Sequence, residues 1–255
     1  MEWQTIRYEK DKGVARITLN RPEVLNALDT TMVRELAEVT RLAARDPETW
    51  VVIVAGAGRA FNSGIDRTAL AKGEVGQSFF YLWEQALNTL EDMEKIVLAI
   101  LRGYSIGGGL QLALACDLRL ATTDTILGLG ATRHGLIPDG AVYRLARVVG
   151  LGRAKELAFL NNHIGAAEAL AMGLVNWVVP PEEVEATTQK ILGRLFDCSP
   201  TAARWTKALL NRSPHVDPRA HMEDALAGQR ECMASPEMEE ANRAWIEHRE
   251  PRFFQ

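Results

Sequence analysis

The chain has 255 residues, a length that accommodates one large domain or one domain with a smaller appendage. Hydrophobic residues make up 47% and charged residues 24%, which is ordinary for a globular protein. The formal net charge of −4 gives no basic face for nucleic acid, and the unbroken apolar run Ile96–Leu101 is too short for a membrane span. We therefore expect neither nucleic acid nor a membrane among its partners.

The cysteines and the N-terminus indicate a compartment. Cys116, Cys198 and Cys232 lie far apart without metal-ligand spacing, so they predict buried free thiols in a reducing compartment and no metal site. The first four residues lack the basic region and apolar stretch of a signal peptide. A cytoplasmic enzyme is the resulting expectation.

The first quarter of the chain predicts a hairpin, a helix and a buried strand. Residues 5–10 and 14–20 alternate polar and apolar side chains around a glycine turn. Asp29 is placed to cap the helix that follows. The run Val51–Ala55 is continuous and apolar, as in a strand of a parallel sheet, and a long turn of small residues, Gly56–Asp66, follows it.

The middle of the chain repeats the order of strand, glycine turn and helix. A helix is predicted over 77–94 and a buried strand over 96–101. The glycine-rich stretch 105–117 then opens a helix, and short strands are predicted over 118–121 and 126–129. This order predicts an α/β domain whose ligands bind at the turns beyond the strand ends.

The C-terminal part of the chain is predicted to be helical. No strand pattern follows Val179, whereas Ser199 and Ser235 each precede a proline and are placed to cap helices. We predict an α/β core over 1–195 and a helical region over 196–255. A helical region of this kind serves a subunit interface or packs back on its own domain.

Three consecutive glycines, Gly107 to Gly109, open the central helix. The first N–H groups of a helix have no partner within it, and glycine leaves them uncovered, so a ligand oxygen can approach closely. One interpretation is an oxyanion hole, in which N–H donors stabilise a developing negative charge. The alternative is close packing of the helix on the sheet.

Glu84 is a candidate proton-transfer residue. It lies on the helix predicted over 77–94, with Phe80 and Leu87 one turn to either side. A carboxylate on an apolar stripe is suited to proton transfer. The alternative is a solvated residue at the edge of an amphipathic helix.

The chain resembles the crotonase superfamily, also called the enoyl-CoA hydratase/isomerase family, in motifs that occur in family order along almost its whole length. These are Leu19-Asn20-Arg21-Pro22 with Leu25-Asn26-Ala27-Leu28, Gly58 to Asp66, Gly107-Gly108-Gly109-Leu110 with Cys116-Asp117, Gly135 to Asp139, Ala166 to Ala169 with Gly173-Leu174-Val175, and Arg249 to Phe253.

The resemblance implies a spiral of strand-strand-helix turns and a C-terminal helical region that forms a homotrimer or a dimer of trimers. It implies an acyl-CoA substrate, with coenzyme A present as part of the thioester and no separate cofactor. The N–H groups of Ser63 and Gly108 would then stabilise the thioester enolate. Residues along the coenzyme A would be Ala27, Asn62, Ser63, Ile65 and Asp66, with Phe253 near the nucleotide.

Hydratases of this family use two glutamates, whose positions here hold Gln111 and Ala131. Neither side chain exchanges a proton at neutral pH, which argues against an ordinary hydratase. Asp139 occupies a position where some similar isomerases and aryl-CoA dehalogenases carry a working aspartate. Its alternative role is to cap a helix that begins near Gly140.

These residues lead to a preferred function and three alternatives. We predict a double-bond isomerase in which Asp139 removes a proton from bound acyl-CoA, and Asp139 or Glu84 returns it to another carbon. The alternatives are a dehalogenase-like or hydrolytic reaction with Asp139 as nucleophile, an atypical hydratase, and a protein that binds acyl-CoA without turnover.

Overall fold

A computed structural model describes residues 3–254, which form a mixed α/β structure followed by helices alone. The strands are β1 Ile6–Asp11, β2 Val14–Leu19, β3 Val51–Gly56, β4 Ile96–Leu101, β5 Tyr104–Ile106, β6 Leu118–Thr122, β7 Ile126–Gly128, β8 Ile164–Gly165 and β9 Trp177–Val179. The α-helices are α1 Thr30–Arg45, α2 Arg67–Ala71, α3 Gln77–Asp92, α4 Gly108–Leu114, α5 Val142–Leu160, α6 Ala166–Ala171, α7 Val184–Phe196, α8 Pro200–Arg212, α9 Pro218–Met233 and α10 Pro236–Ile246.

The N-terminal hairpin and the helix after it confirm the sequence predictions. Strands β1 and β2 pair antiparallel, with Ile6 opposite Leu19, around a turn in which Gly13 has a φ of 78°. The carboxylate of Asp29 accepts a hydrogen bond of 2.8 Å from the main-chain N–H of Met32. This bond satisfies one of the N–H groups that a helix start leaves unpaired, so α1 begins at Thr30.

A six-stranded sheet in the order β1-β2-β3-β4-β6-β9 forms the centre of the α/β part. Residues Val51–Val54 of β3 are buried without alternation, which is the pattern of a strand covered on both faces. Strands β5, β7 and β8 form a second, smaller sheet. β5 was not predicted, because the stretch from Ser105 onward was assigned to the start of the central helix.

The cavity described below depends on the position of α3, which packs against α1. Its buried side chains recur at helical spacing, as predicted. They are Phe79, Trp83, Ala86, Leu87 and Leu90.

The chain forms two compact units. The first runs to Met93 and resumes over Val97–Glu185, and the second consists of Glu94–Ile96 and the chain from Ala186 onward. The break therefore precedes the predicted boundary at 195/196, and almost all of α7 belongs to the second unit. The periodicity of α7 marks a helix with one apolar face, but it does not reveal which unit covers that face.

The prediction of buried thiols is confirmed for Cys116 in the first unit. It is wrong for Cys198, which is exposed, and for Cys232, which is half-buried.

The second unit is helical, as predicted. The Oγ atoms of Ser199 and Ser235 accept hydrogen bonds of 3.3 Å from the N–H groups of Ala202 and Met238, so both serines cap helices. Formation of a homotrimer or a dimer of trimers through this helical region stays a prediction. No helix within residues 3–254 combines the length and apolarity needed to cross a membrane.

Candidate active site

The first unit contains a cavity of about 210 Å³ beside the glycine stretch. Its lining is largely apolar, with a few polar groups, a combination typical of sites for small molecules. The lining residues are Leu28, Ser63, Gly64, Ile65, Arg67, Leu70, Phe79, Phe80, Trp83, Ile106, Gly107, Gly108, Gln111, Gly130, Ala131, His134, Leu136, Ile137 and Asp139.

Asn26 holds the turn that forms one wall of the cavity. Its side chain is fully buried, and its Nδ2 donates to the carbonyl oxygens of Ala57, Ala60 and Phe61 at 2.9, 2.8 and 3.3 Å. A buried amide with this many partners fixes the path of the main chain around it. The motif around Asn26 is therefore a scaffold for the turn over residues 56–66.

Asn62 continues this scaffold and is also fully buried. Its Nδ2 donates to the carbonyl oxygen of Asn26, and its Oδ1 accepts from the N–H of Gly64 at 2.8 Å. Both polar groups of the side chain therefore bond within the protein. The structure contradicts the prediction that Asn62 contacts coenzyme A, because the side chain is neither exposed nor available.

The 56–66 turn is attached to the rest of the unit on two sides. Asn62 forms a parallel bridge with Ser105 of β5, and Ile65 forms one with Leu28. In the second bridge, the N–H of Leu28 donates to the oxygen of Gly64 at 2.8 Å, and the N–H of Asp66 donates to the oxygen of Leu28 at 2.9 Å. Because successive N–H groups of extended chain point to opposite sides, the N–H of Ile65 points away from Leu28.

The glycines bring this turn against the start of α4. A methyl group on Gly64 would lie 3.1 Å from the oxygen of Ile106 and 3.5 Å from the nitrogen of Gly108. A methyl group on Gly109 would lie 2.2 Å from the oxygen of Asn62. Close packing, the alternative interpretation of the three glycines, therefore explains Gly109, and it also applies to Gly108, where an added methyl group would lie 2.4 Å from the Leu28 side chain; Gly108 lines the cavity as well.

Of the two main-chain donors predicted, Gly108 is available to a ligand and Ser63 is not. The N–H of Ser63 donates to the oxygen of Leu25 at 3.1 Å, so the predicted donor already has a partner and that prediction is wrong. The N–H groups of Ile65 and Gly108 donate to none of residues 3–254. Both residues line the same cavity, and an added methyl group on Gly64, which precedes Ile65, would lie 3.5 Å from the Gly108 nitrogen, so these two N–H groups are the candidate donors to one ligand oxygen.

Asp66 has a structural role next to this turn. Its Oδ1 accepts from the N–H groups of Thr68 and Ala69 at the start of α2, and its Oδ2 lies 3.2 Å from Arg21. Burial acts to raise the pKa of Asp66, but the hydrogen bonds from Ala69, Arg21 and Thr68 outweigh it and hold the pKa below its usual value. Contact of Asp66 with coenzyme A stays a prediction.

The other predicted coenzyme A contacts fall into two groups. Ser63 and Ile65 line the cavity, whereas Ala27 is 7% exposed and does not line it. Phe253 belongs to the second unit and is partly buried there. The roles proposed for these residues stay predictions.

Gln111 and Ala131, at the two positions where hydratases carry glutamates, both line the cavity. The Oε1 of Gln111 accepts a hydrogen bond of 2.7 Å from the indole Nε1 of Trp83. A methyl group on Gly140 would lie 2.8 Å from the same oxygen, so Gln111 lies directly beside the turn that contains Asp139.

Asp139 is the one carboxylate among the described residues that line the cavity. Burial raises the pKa of Asp139 above its usual value, against the opposing effects of the Gly140 N–H and the Arg144 guanidinium. Its Oδ1 accepts from the N–H of Gly140 at 3.0 Å. The predicted alternative, a cap for the following helix, does not hold, because α5 begins after Ala141 and its first turn has no side-chain cap.

The structure does not support Glu84 as a catalytic residue. Glu84 does not line the cavity, and its Oε2 lies 3.4 Å from the Nη1 of Arg144. That arginine side chain is 1% exposed and also donates to Glu91 at 2.8 Å. Glu84 therefore belongs to an ion-pair network between α3 and α5.

Sequence reasoning missed three contributions to this site. The N–H of Ile65 depends on the alternation set by the bridge to Leu28, which has no signature in the sequence. Trp83 fits a buried helix face, so nothing singled out its N–H. Arg144 lies in a helix whose polar residues resemble ordinary surface positions.

Comparisons with known proteins agree with this fold. Residues 9–255 match the family model described as enoyl-CoA hydratase/isomerase. A short-chain-enoyl-CoA hydratase of Clostridium acetobutylicum is 34% identical over 262 residues, covering 100% of this chain and 99% of the relative. A crotonyl-CoA hydratase of Syntrophomonas wolfei is 32% identical over 258 residues, covering 100% of this chain and 99% of the relative.

Solved structures give the same result. An enoyl-CoA hydratase from Bacillus anthracis has a TM-score of 0.91 at 30% identity and covers 98% of this chain and 99% of its own. An enoyl-CoA hydratase from Mycobacterium smegmatis has a TM-score of 0.92 at 27% identity and covers 99% of this chain and 100% of its own. The crotonase-like fold expected from the sequence is confirmed.

Proposed function

The chain belongs to the enoyl-CoA hydratase/isomerase family, and on this premise we propose that it moves the double bond of an enoyl-CoA by way of a thioester enolate. The observation that carries the proposal is the lining of the cavity, where Asp139 is the one carboxylate among the described residues. A 1,3 shift needs one group that takes a proton from one carbon and returns it to another, so a single carboxylate suffices.

The N–H groups of Ile65 and Gly108 would hold the thioester oxygen. Neither N–H group donates to residues 3–254. A methyl group on Gly64, the residue before Ile65, would lie 3.5 Å from the Gly108 nitrogen. Two fixed donors at one oxygen stabilise negative charge there, and the loss of one such donor typically reduces the rate by about 10²- to 10³-fold.

The reaction then follows from these groups. The Asp139 carboxylate removes a proton from the α-carbon of a 3-enoyl-CoA, and the electron pair of the broken C–H bond delocalises onto the thioester oxygen. Collapse of this enolate forms the double bond between the α- and β-carbons, and the γ-carbon takes the proton from the Asp139 carboxyl. The raised pKa of Asp139 supports this role, since a more basic carboxylate accepts a carbon-bound proton more readily.

Incubation with trans-3-hexenoyl-CoA in deuterated water tests the proposal. Conversion to 2-hexenoyl-CoA with deuterium in the product, monitored by NMR, is the expected result. Asp139→Asn should reduce this conversion by about 10²- to 10⁴-fold. Tight binding of the thioester without conversion would contradict the proposal and favour a binding protein. Recovery of a covalent adduct on Asp139 would favour the nucleophile instead.

Hydration is the second candidate, because two relatives at 34% and 32% identity are named hydratases. It would require Asp139 to activate water without either family glutamate. Incubation with 2-hexenoyl-CoA separates the two reactions, since hydration adds the mass of one water molecule and isomerisation leaves the mass unchanged.

A further inference from the structure

The side-chain amide of Gln111 lies at the cavity in an orientation that the protein itself sets. The indole N–H of Trp83 can only donate a hydrogen bond, so at 2.7 Å its partner must be the carbonyl oxygen of Gln111 and not the NH2 group. Trp83 is 2% exposed, so water does not compete for this bond. The NH2 group is therefore the part of the amide left for other partners.

No acceptor among residues 3–254 bonds to that NH2 group, although Gln111 is only 5% exposed. The Nε2 atom is not among the enclosed polar atoms without a partner, and Gln111 lines the cavity, so this donor opens onto the cavity. A ligand there that carries an acceptor can therefore bond to it. Because the lining around Gln111 is mainly apolar, we expect the neighbouring part of the ligand to be apolar as well, apart from this acceptor.

The position of Gln111 indicates which part of the ligand it meets. A methyl group on Gly140 would lie 2.8 Å from the Gln111 oxygen, and Gly140 follows Asp139 directly. The carboxamide and the proposed proton-transfer group are therefore neighbours. An acceptor that reaches Gln111 is close to the carbon atoms that exchange protons.

We propose that Gln111 selects acyl-CoA substrates whose acyl chain carries a hydrogen-bond-accepting oxygen near the β- or γ-carbon. This inference rests on the proposed function, because it assumes that the cavity holds the acyl chain of a thioester. Gln111 acts as a specificity determinant that donates through Nε2, and Trp83 is the positioning residue that fixes which end of the amide faces the chain.

Three thioesters of equal chain length test the proposal. Pentanoyl-CoA is the apolar reference. Ethoxyacetyl-CoA and 3-methoxypropanoyl-CoA replace its β- or γ-methylene with an ether oxygen, which accepts hydrogen bonds but cannot donate them. Equilibrium titration calorimetry gives the Kd of each for the wild type and for Gln111→Leu. The ratio of Kd values between reference and ether analogue cancels the shared binding energy.

We expect Gln111→Leu to raise the Kd of at least one ether analogue about three- to tenfold relative to the Kd of pentanoyl-CoA. Trp83→Phe keeps a ring in the core but lets the carboxamide rotate, so it should produce a smaller shift in the same direction. Gln85→Leu makes the same chemical change on α3 outside the cavity, where Gln85 bonds to Arg41, and should leave the ratio unchanged.

The outcomes separate this proposal from the function on which it rests. If pentanoyl-CoA binds the wild type but Gln111→Leu leaves both ratios within twofold, Gln111 does not select for oxygen and the proposal is overturned. If Gln111→Leu weakens all three thioesters equally, its role is structural and the proposal is also overturned. If none of the thioesters binds the wild type, the acyl-CoA function itself is refuted, and this inference with it.

Discussion

Arg144 donates a hydrogen bond of 2.9 Å from its Nη1 to the main-chain oxygen of Gly140, the residue that follows Asp139. The same guanidinium pairs with Glu84 and Glu91 and is cut off from solvent. The turn that carries the proposed proton-transfer group is thus attached to α3 through one buried arginine.

Arg144→Met should destabilise the protein by about 3–5 kcal/mol, because it removes a buried cation that bonds to the Gly140 oxygen and to two carboxylates of α3. Urea denaturation measures the free energy of unfolding. Arg153→Met is the matched control, since Arg153 pairs with Glu156 at 56% and 42% exposure. That exposed pair should contribute less than about 1 kcal/mol. Equal losses in the two variants would contradict the anchoring role of Arg144.

Gly64→Ala should impair activity more than folding. Gly64 has a φ of +91°, and the added methyl group would lie 3.1 Å from the Ile106 oxygen and 3.5 Å from the Gly108 nitrogen. The displaced turn would misplace the Ile65 N–H, and we expect an activity loss of about 10- to 100-fold.

Gly73→Ala is the matched control for Gly64→Ala. Gly73 has a φ of +73°, but no atom lies within 4 Å of its added methyl group. Both variants should lose about 1–2 kcal/mol of stability through left-handed backbone strain, and only Gly64→Ala should lose activity. Equal activity in the two variants would show that the space beside Gly108 has no catalytic importance.

Glu84→Gln should retain activity within about twofold of the wild type. Glu84 lies outside the cavity lining and pairs with Arg144, and the substitution preserves the shape of its side chain. Steady-state kinetics with an enoyl-CoA substrate provides the measurement. A loss comparable to that of Asp139→Asn would restore Glu84 as a second proton-transfer residue.

The pH dependence of activity should reflect the environment of Asp139. The carboxylate must be ionised to accept a proton, and burial raises the pKa of Asp139 above its ordinary value of 3.8. Activity should therefore rise with pH through a midpoint above 3.8. A profile of kcat/KM against pH that shows no acid limb above this value would contradict the role of Asp139.

The raised pKa of Asp139 should also affect how the stability of Asp139→Asn, relative to the wild type, depends on pH. Because the folded-state pKa of Asp139 exceeds the unfolded one, its stabilising contribution is complete below the unfolded pKa and is lost as pH rises through the folded pKa. Asp139→Asn should therefore gain stability relative to the wild type over that range. Asp66→Asn should lose relative stability as pH rises, because the pKa of Asp66 is lowered.

Much of the fold was predictable because its signals are local. The cap at Asp29, the continuous apolar run of β3 and the serine-proline starts of the C-terminal helices each depend on a few neighbouring residues. The three-residue strand β5 left no such signal. The unit to which α7 belongs was not predictable either, because periodicity gives a helix face and not its partner.

The site was predictable in its composition and less so in its connections. The sequence placed Gly108, Gln111, Ala131 and Asp139 together, and all four line one cavity. The family resemblance gave Ser63 as a donor, and the sequence could not show otherwise, because the N–H of Ser63 bonds to the distant residue Leu25. The pairing of Glu84 with Arg144 was not predictable, because the two residues are 60 positions apart in sequence.

A crystal structure with bound hexanoyl-CoA, a saturated thioester that cannot isomerise, tests the central claim most directly. We predict that the thioester oxygen lies about 2.7–3.1 Å from the main-chain nitrogens of both Ile65 and Gly108. The Asp139 carboxylate should then face the α- or γ-carbon of the acyl chain. A thioester oxygen bound to neither nitrogen, or held by the N–H of Ser63, would contradict the account.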